Sequence, residues 1–137
     1  MVKDTLLRTS MKQLIVKFLI ALSLVVTTTI HAAEALNKDS VENLVAGRKI
    51  EGRNVVWKKG MKWYFDPSGE LKKRDEYGNK GKGLWHVDDN GKLCAEFKHV
   101  KERCLSVVPR DDGGYDLYSD KGELEWTFDR FLGHKPN

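Results

Sequence analysis

One turn pattern occurs three times in this chain and limits what the chain can fold into. Phe65-Asp66-Pro67-Ser68-Gly69-Glu70-Leu71 is echoed by Val87-Asp88-Asp89-Asn90-Gly91-Lys92-Leu93 and by Tyr118-Ser119-Asp120-Lys121-Gly122-Glu123-Leu124. Each copy runs apolar residue, three turn residues, glycine, charged residue, leucine. Glycine supplies the positive φ of a type I turn closed by a bulge, one of the common ways to reverse an antiparallel strand. Two copies carry a tryptophan two residues upstream, Trp63 and Trp85, where the third has Asp116. The glycines are 22 and 31 residues apart, too uneven for a solenoid. The pattern therefore reads as hairpins of a meander.

The segments between these turns alternate with period two. Met61, Trp63 and Phe65 share one face and Lys62, Tyr64 and Asp66 the other. Trp85-Val87, Leu93-Ala95-Phe97, Leu105-Val107 and Leu124-Trp126-Phe128 repeat the alternation. Such a pattern predicts a mainly β fold, a small antiparallel meander or open barrel of about six to eight strands with one face buried. Trp57, Trp63, Phe65, Trp85, Leu93, Phe97, Leu105, Trp126 and Phe128 are the expected core. Ahead of the strands, Asp39-Ser40-Val41-Glu42 has the form of a capping box, Val41, Leu44 and Val45 share a helical face, and Gly47 is a stop signal. One short N-terminal helix is expected there, and two turns of helix must pack on something to persist.

The first 35 residues read differently. Lys12 and Lys17 precede an apolar run from Phe18 to Val26, followed by three threonines and the small-residue stretch Ala32-Ala33-Glu34-Ala35. That order is the one the export machinery reads. Residues 1–35 are expected to be a signal peptide cleaved before Leu36, with cuts after Ala32 or Ala33 as alternatives and Met11 as a natural start. The apolar run is about half of the roughly 20 residues that span a bilayer, so no membrane span is expected after cleavage. Residues 36–137 then form a single β domain of 102 residues with a short polar C-terminal tail, located in the periplasm or secreted. This part holds 20 Lys+Arg against 18 Asp+Glu with both signs interspersed, which argues against nucleic acid as a partner.

Both cysteines, Cys94 and Cys104, lie in this domain, and an oxidising compartment favours their disulfide. If Cys94 faces Cys104 across a hairpin, Leu93 faces Leu105 and the loop is Lys98-His99-Val100. The leucines then share the core face and the disulfide lies opposite. That register also sets Glu96 against Glu102, a repulsion that a diagonal bridge or a slipped loop would relieve.

Catalytic signals are weak. His86 points away from the expected core, with Asp88 close in sequence, but a histidine–aspartate pair needs a nucleophile or metal as third party. The cysteine and histidine spacing does not match zinc sites, and the Asp-Asp-Asn-Gly and Asp-Asp-Gly-Gly stretches lack the ligand pattern of calcium loops. No cofactor or metal is expected. Basic residues beside aromatics are the better lead, because they suit anionic glycans, lipid head groups or an acidic protein. The candidate ligand or partner face is Lys62, Tyr64, Lys72, Lys73, Arg74 and His86.

Tyr64-Phe65-Asp66-Pro67-Ser68-Gly69, Gly83-Leu84-Trp85-His86-Val87-Asp88, Leu93-Cys94 and the later Cys104 together resemble a family of small exported proteobacterial proteins of unknown function. The resemblance runs from about Leu44 to Trp126, with Leu84 where threonine is common in that family. It implies a small β fold and no catalytic residues. The reading that follows is a non-catalytic binding module for a periplasmic or envelope protein or glycan. Alternatives are an open-barrel carrier of a small ligand, which needs an interior cavity, and a small hydrolase using His86, which needs that residue in a cleft.

Overall fold

The computed structural model describes residues 33–133. The segment read as a signal peptide lies outside the described residues apart from its last three positions. Helix α1 (Lys38–Val45) is followed by β1 (Lys49–Asn54), β2 (Lys59–Phe65), β3 (Glu70–Asp75) and β4 (Lys80–Val87). Then come β5 (Leu93–Phe97), β6 (Val100–Pro109), β7 (Tyr115–Tyr118) and β8 (Leu124–Leu132). Each strand pairs antiparallel with the next, and β1 pairs with β8, so the eight strands form a closed barrel. At this strand number a barrel interior is about wide enough to be filled by side chains.

The turns after β2, β4 and β6 lie at one end of the barrel and those after β1, β3, β5 and β7 at the other. Helix α1 covers the first end. Leu36 N–H donates to the Val107 carbonyl at 2.8 Å and Gly47 N–H to the Phe65 carbonyl at 2.7 Å, pinning both ends of the helical segment. Val41 and Val45 are fully buried, and Leu44 packs beside them, as the helical spacing predicts. The cap differs from the sequence expectation. Asn37, not Asp39, accepts from Ser40 N–H, at 2.9 Å, and Asp39 sits in the first turn. A cap two residues earlier brings the chain directly out of its Val107 contact.

Trp63, Phe65, Leu71, Leu93, Leu105, Leu117 and Phe128 fill the interior. Trp63 stacks on Trp126 with ring centroids 5.1 Å apart and meets the edge of Phe128 at 5.4 Å. Trp85 and Phe97 are partly buried against this cluster. Trp57 contradicts the expected core, being 54% exposed. Strand β1 ends at Asn54, whose side-chain oxygen accepts from Trp57 N–H at 3.1 Å, so Trp57 lies in a turn and not in the alternating pattern.

The three sequence-matched turns share one hydrogen-bond pattern, and two others adopt it too. In each, the glycine N–H donates back to the carbonyl three residues earlier: Gly69 to Asp66, Gly78 to Asp75, Gly91 to Asp88, Gly113 to Arg110 and Gly122 to Ser119. All five glycines have positive φ. Asp66, Asp75 and Asp88 brace their turns by accepting the N–H two residues on, at 2.9, 3.0 and 3.0 Å. The β5–β6 turn is different. Leu93 faces Leu105 and Cys94 faces Cys104, joined by a disulfide, as expected. Phe97 faces Val100, however, so the loop is Lys98-His99 and Val100 begins β6. A bulge between Ala95 and Phe97 takes Glu96 out of register, which removes the predicted Glu96–Glu102 opposition.

Two predictions follow from these turns and from the barrel seam. A Cβ on Gly52 would sit 1.7 Å from the Thr127 carbonyl oxygen across the β1–β8 seam, whereas one on Gly122 meets nothing within 4 Å. Gly52→Ala should therefore cost at least about 3 kcal/mol in denaturant unfolding, and Gly122→Ala only about 1 kcal/mol from its positive φ. Asp66, Asp75 and Asp112 are held below the ordinary aspartate range by backbone N–H of Ser68, the Asn79 side chain and backbone N–H of Gly114, respectively. Folding thus favours their ionised forms, a stabilisation complete above about pH 5 and lost progressively as pH falls further. Unfolding curves recorded at successive pH values should show a shallower acid limb in Asp75→Asn than in the native chain.

Candidate functional site

The alternation of β2, β3 and β4 divides the candidate residues between two faces. Lys62 and Tyr64 on β2 and Lys72 and Arg74 on β3 point outward, and Lys80 and Lys82 on β4 extend the same face. Lys49 on β1 lies opposite Tyr64. Tyr64 is half-buried among these chains, which line a shallow groove with it. All six cations of this wall are exposed. Glu51 takes Lys62 at 3.3 Å and Glu70 takes Lys72 at 3.7 Å. Among the described residues, Lys49, Arg74, Lys80 and Lys82 have no carboxylate within ion-pair distance.

The register adds a cost to this composition. Lys62 lies directly opposite Arg74, Arg74 opposite Lys80, and Lys72 opposite Lys82. Like charges facing one another across strands destabilise a sheet. The sheet lattice also sets the spacing, with positive groups ~5 Å apart across strands and ~7 Å apart along them. Such a grid concentrates positive potential and attracts multivalent anions.

His86 belongs elsewhere. It is on the outer face of β4 near the helix-covered end, opposite Cys94. Its Nδ1 lies 3.4 Å from Glu102 Oε1, and both side chains are exposed. Asp88, its sequence neighbour, is engaged instead by the N–H groups of Asn90 and Lys92 at 3.0 and 2.9 Å. Glu102 is thus the partner that the β5–β6 pairing supplies and sequence proximity does not. His86, Cys94 and Glu102 place ligand-type atoms within 4.8 Å of one another, but the Cys94 sulfur is bonded to Cys104 and is not a thiolate. What remains is an exposed imidazole–carboxylate pair on the outer wall.

Lys73 faces inward, between Lys72 and Arg74 in sequence but on the opposite side of the sheet. It lies at the uncovered end of the barrel with its ammonium 3.9 Å from the centre of the Phe97 ring and 5.5 Å from that of Trp57. Removal from water pushes its pKa below the ordinary lysine value, opposed by Asp75 and assisted by Lys59. Arg103 and the buried Glu125 form an ion pair in the wall of the same recess.

Sequence reasoning missed Lys49, Lys80 and Lys82 as members of the outer wall. Lys80 and Lys82 alternate with Gly81 and Gly83, a signal that could have placed them on one face of β4. No helix among the described residues is long and apolar enough to cross a membrane. Comparison of the chain with protein-family models, with curated proteins and with solved structures finds no match.

The opposed lysines are testable on their own. Lys82→Glu, which gives Lys72 a cross-strand partner of opposite sign, should raise unfolding stability by about 0.5 kcal/mol at low salt. The gain should shrink as ionic strength rises, because both groups are exposed.

Proposed function

We propose that this protein is an exported, non-catalytic binding module that docks on arrays of phosphate or carboxylate groups of the cell envelope. The wall of β2, β3 and β4 is its contact surface. One observation carries the reading: five exposed cations, Lys62, Lys72, Arg74, Lys80 and Lys82, occupy one outer face in a register that opposes like charges. A fold under no demand for anion binding gains nothing from that register, and neutralisation by a polyanion removes its cost.

The same wall suits a polyanion better than a protein partner. Protein interfaces draw their affinity from buried aromatic and arginine anchors packed in apolar pockets. Tyr64 is the wall's one aromatic among the outward residues of β2, β3 and β4, and it is already half-buried. The export half of the reading is supported by the signal-like order of the first 35 residues and by the disulfide. The non-catalytic half is supported by the exposed position of His86 and Glu102 beside a sulfur already spent in a covalent bond.

Co-sedimentation with vesicles tests this, using phosphatidylglycerol in phosphatidylcholine against phosphatidylcholine alone, together with retention on a sulfated-polysaccharide matrix. Binding to at least one anionic probe is expected, weakening steeply from 50 to 300 mM salt. A Lys72→Glu/Lys82→Glu variant should bind at least tenfold more weakly while remaining folded. Equal binding to neutral and anionic probes, or an unaffected variant, would count decisively against the wall as a polyanion surface.

A further inference from the structure

We propose that the uncovered mouth of the barrel is a second site, which binds a small carboxylate carried on an apolar chain, with Lys73 receiving the carboxylate. The mouth lies at the end opposite α1 and contains a recess of about 70 Å3. Trp57, Met61, Trp63, Phe97 and Trp126 line it together with Lys73. A water needs about 10–15 Å3 of such space. The recess therefore admits the head of a small ligand, and the rest of the ligand must lie outside it.

The sheet is built to bring this lysine inside. Lys73 stands opposite Trp63 on β2 and opposite Gly81 on β4, all on the inner face. A Cβ at Gly81 would come 2.7 Å from Lys73 Cε, and one at Gly83 would come 2.7 Å from Phe97 Cδ1. The two glycines leave the space that the lysine stem and the phenyl ring occupy. The cation is therefore held between two aromatic rings and partly removed from water, unlike an ordinary lysine that reaches out to solvent.

Lys73 has no direct ion-pair partner there among the described residues. Asp75 is taken by Lys59 at 3.8 Å, and Glu125 by Arg103. Among the described residues no carboxylate lies within ion-pair distance of Lys73. The two ring faces contribute cation–π attraction but do not accept the ammonium's hydrogen bonds as an anion would. A carboxylate entering the recess makes a charge-assisted hydrogen bond in a poorly screened site, where such bonds are strong. A cation entering it meets Lys73 and Arg103 instead.

The rim accounts for the apolar part of the ligand. Val56 and Trp57 in the β1–β2 turn are 57% and 54% exposed, and Val100 at the start of β6 is 42% exposed. All three line the recess. They offer an apolar shelf contiguous with the recess, flanked by the exposed cations Lys58, Lys98 and Lys101. An alkyl or aryl carboxylate matches both parts, head inside and body on the shelf. This site is independent of the outer wall, because Lys73 lies on the opposite face of β3 from Lys72 and Arg74.

The tryptophans report on the proposal directly. Trp57, Trp63 and Trp126 line the recess, whereas the Trp85 indole donates to the Asp66 carbonyl at 2.8 Å near the helix-covered end. Octanoate and octylammonium are titrated into 15N-labelled protein while the four indole N–H resonances are followed. Octanoate should shift the first three and leave Trp85 in place, and octylammonium should bind at least tenfold more weakly. Lys73→Met and Lys73→Gln, checked for an unchanged fold by their remaining amide resonances, should bind the two ligands alike. Equal binding of both by the native protein overturns the proposal without recourse to any variant. So do octanoate binding that keeps its native affinity in both variants, a Trp85 shift that tracks the others, and the absence of binding at millimolar concentration.

Discussion

The pairing of the first strand with the last decides everything else in this molecule. An eight-stranded meander left open would present two edges of unpaired N–H and C=O groups and two half-covered faces. Joining β1 to β8 removes both edges and gives the sheet one inside and one outside. The seam depends on a close approach, because the backbone at Gly52 runs so near Thr127 that any side chain would collide with a carbonyl oxygen. The register shift between Glu51 and Gly52 at the same place bends β1 as it meets β8.

Closure turns a period-two pattern into two surfaces of different chemistry. On β3, Leu71 and Lys73 face in while Lys72 and Arg74 face out. Four consecutive residues thereby contribute to the core, the outer wall and the mouth. The outward cations are exposed, with Lys62 and Lys72 paired to Glu51 and Glu70. Lys73 is partly removed from water against the rings of Phe97 and Trp57. Adjacent residues of one type thus have different physical roles, because a strand reverses its side chains at every step.

The two ends are equally unlike. Helix α1 seals one end with Val41 and Val45, and its N-terminal lead is tied to Val107. Among the described residues no helix covers the other end, where Trp57 and Val56 are exposed in a turn. The interior between them is filled by Trp63, Phe65, Phe128 and the leucines around them. Arg110 secures the helix-covered end further. It bonds Asp112, Asp116 and Asp129 at 3.1, 3.1 and 2.9 Å, tying the β6–β7 turn to β8.

Much of this was legible in the residues before any coordinates. Hairpin glycines announce themselves because few other residues adopt positive φ cheaply. Alternating apolar residues announce a half-buried strand because the pleat has period two. The Leu93–Leu105 and Cys94–Cys104 register was one of those the rules allowed, and the structure adopts it. Readings failed wherever the answer depended on contacts distant in sequence. Trp57 looked like core until the end of β1 placed it in a turn, and Asp88 looked like the partner of His86 until β6 brought Glu102 alongside. Composition and local pattern determined a β meander with a short helix and a cross-strand cysteine pair, since each of those depends on neighbours within a few residues. Which cations share a wall, which lysine turns inward and which end stays open were decided only by barrel closure. Those properties depend on register between strands, and register is a property of the whole sheet.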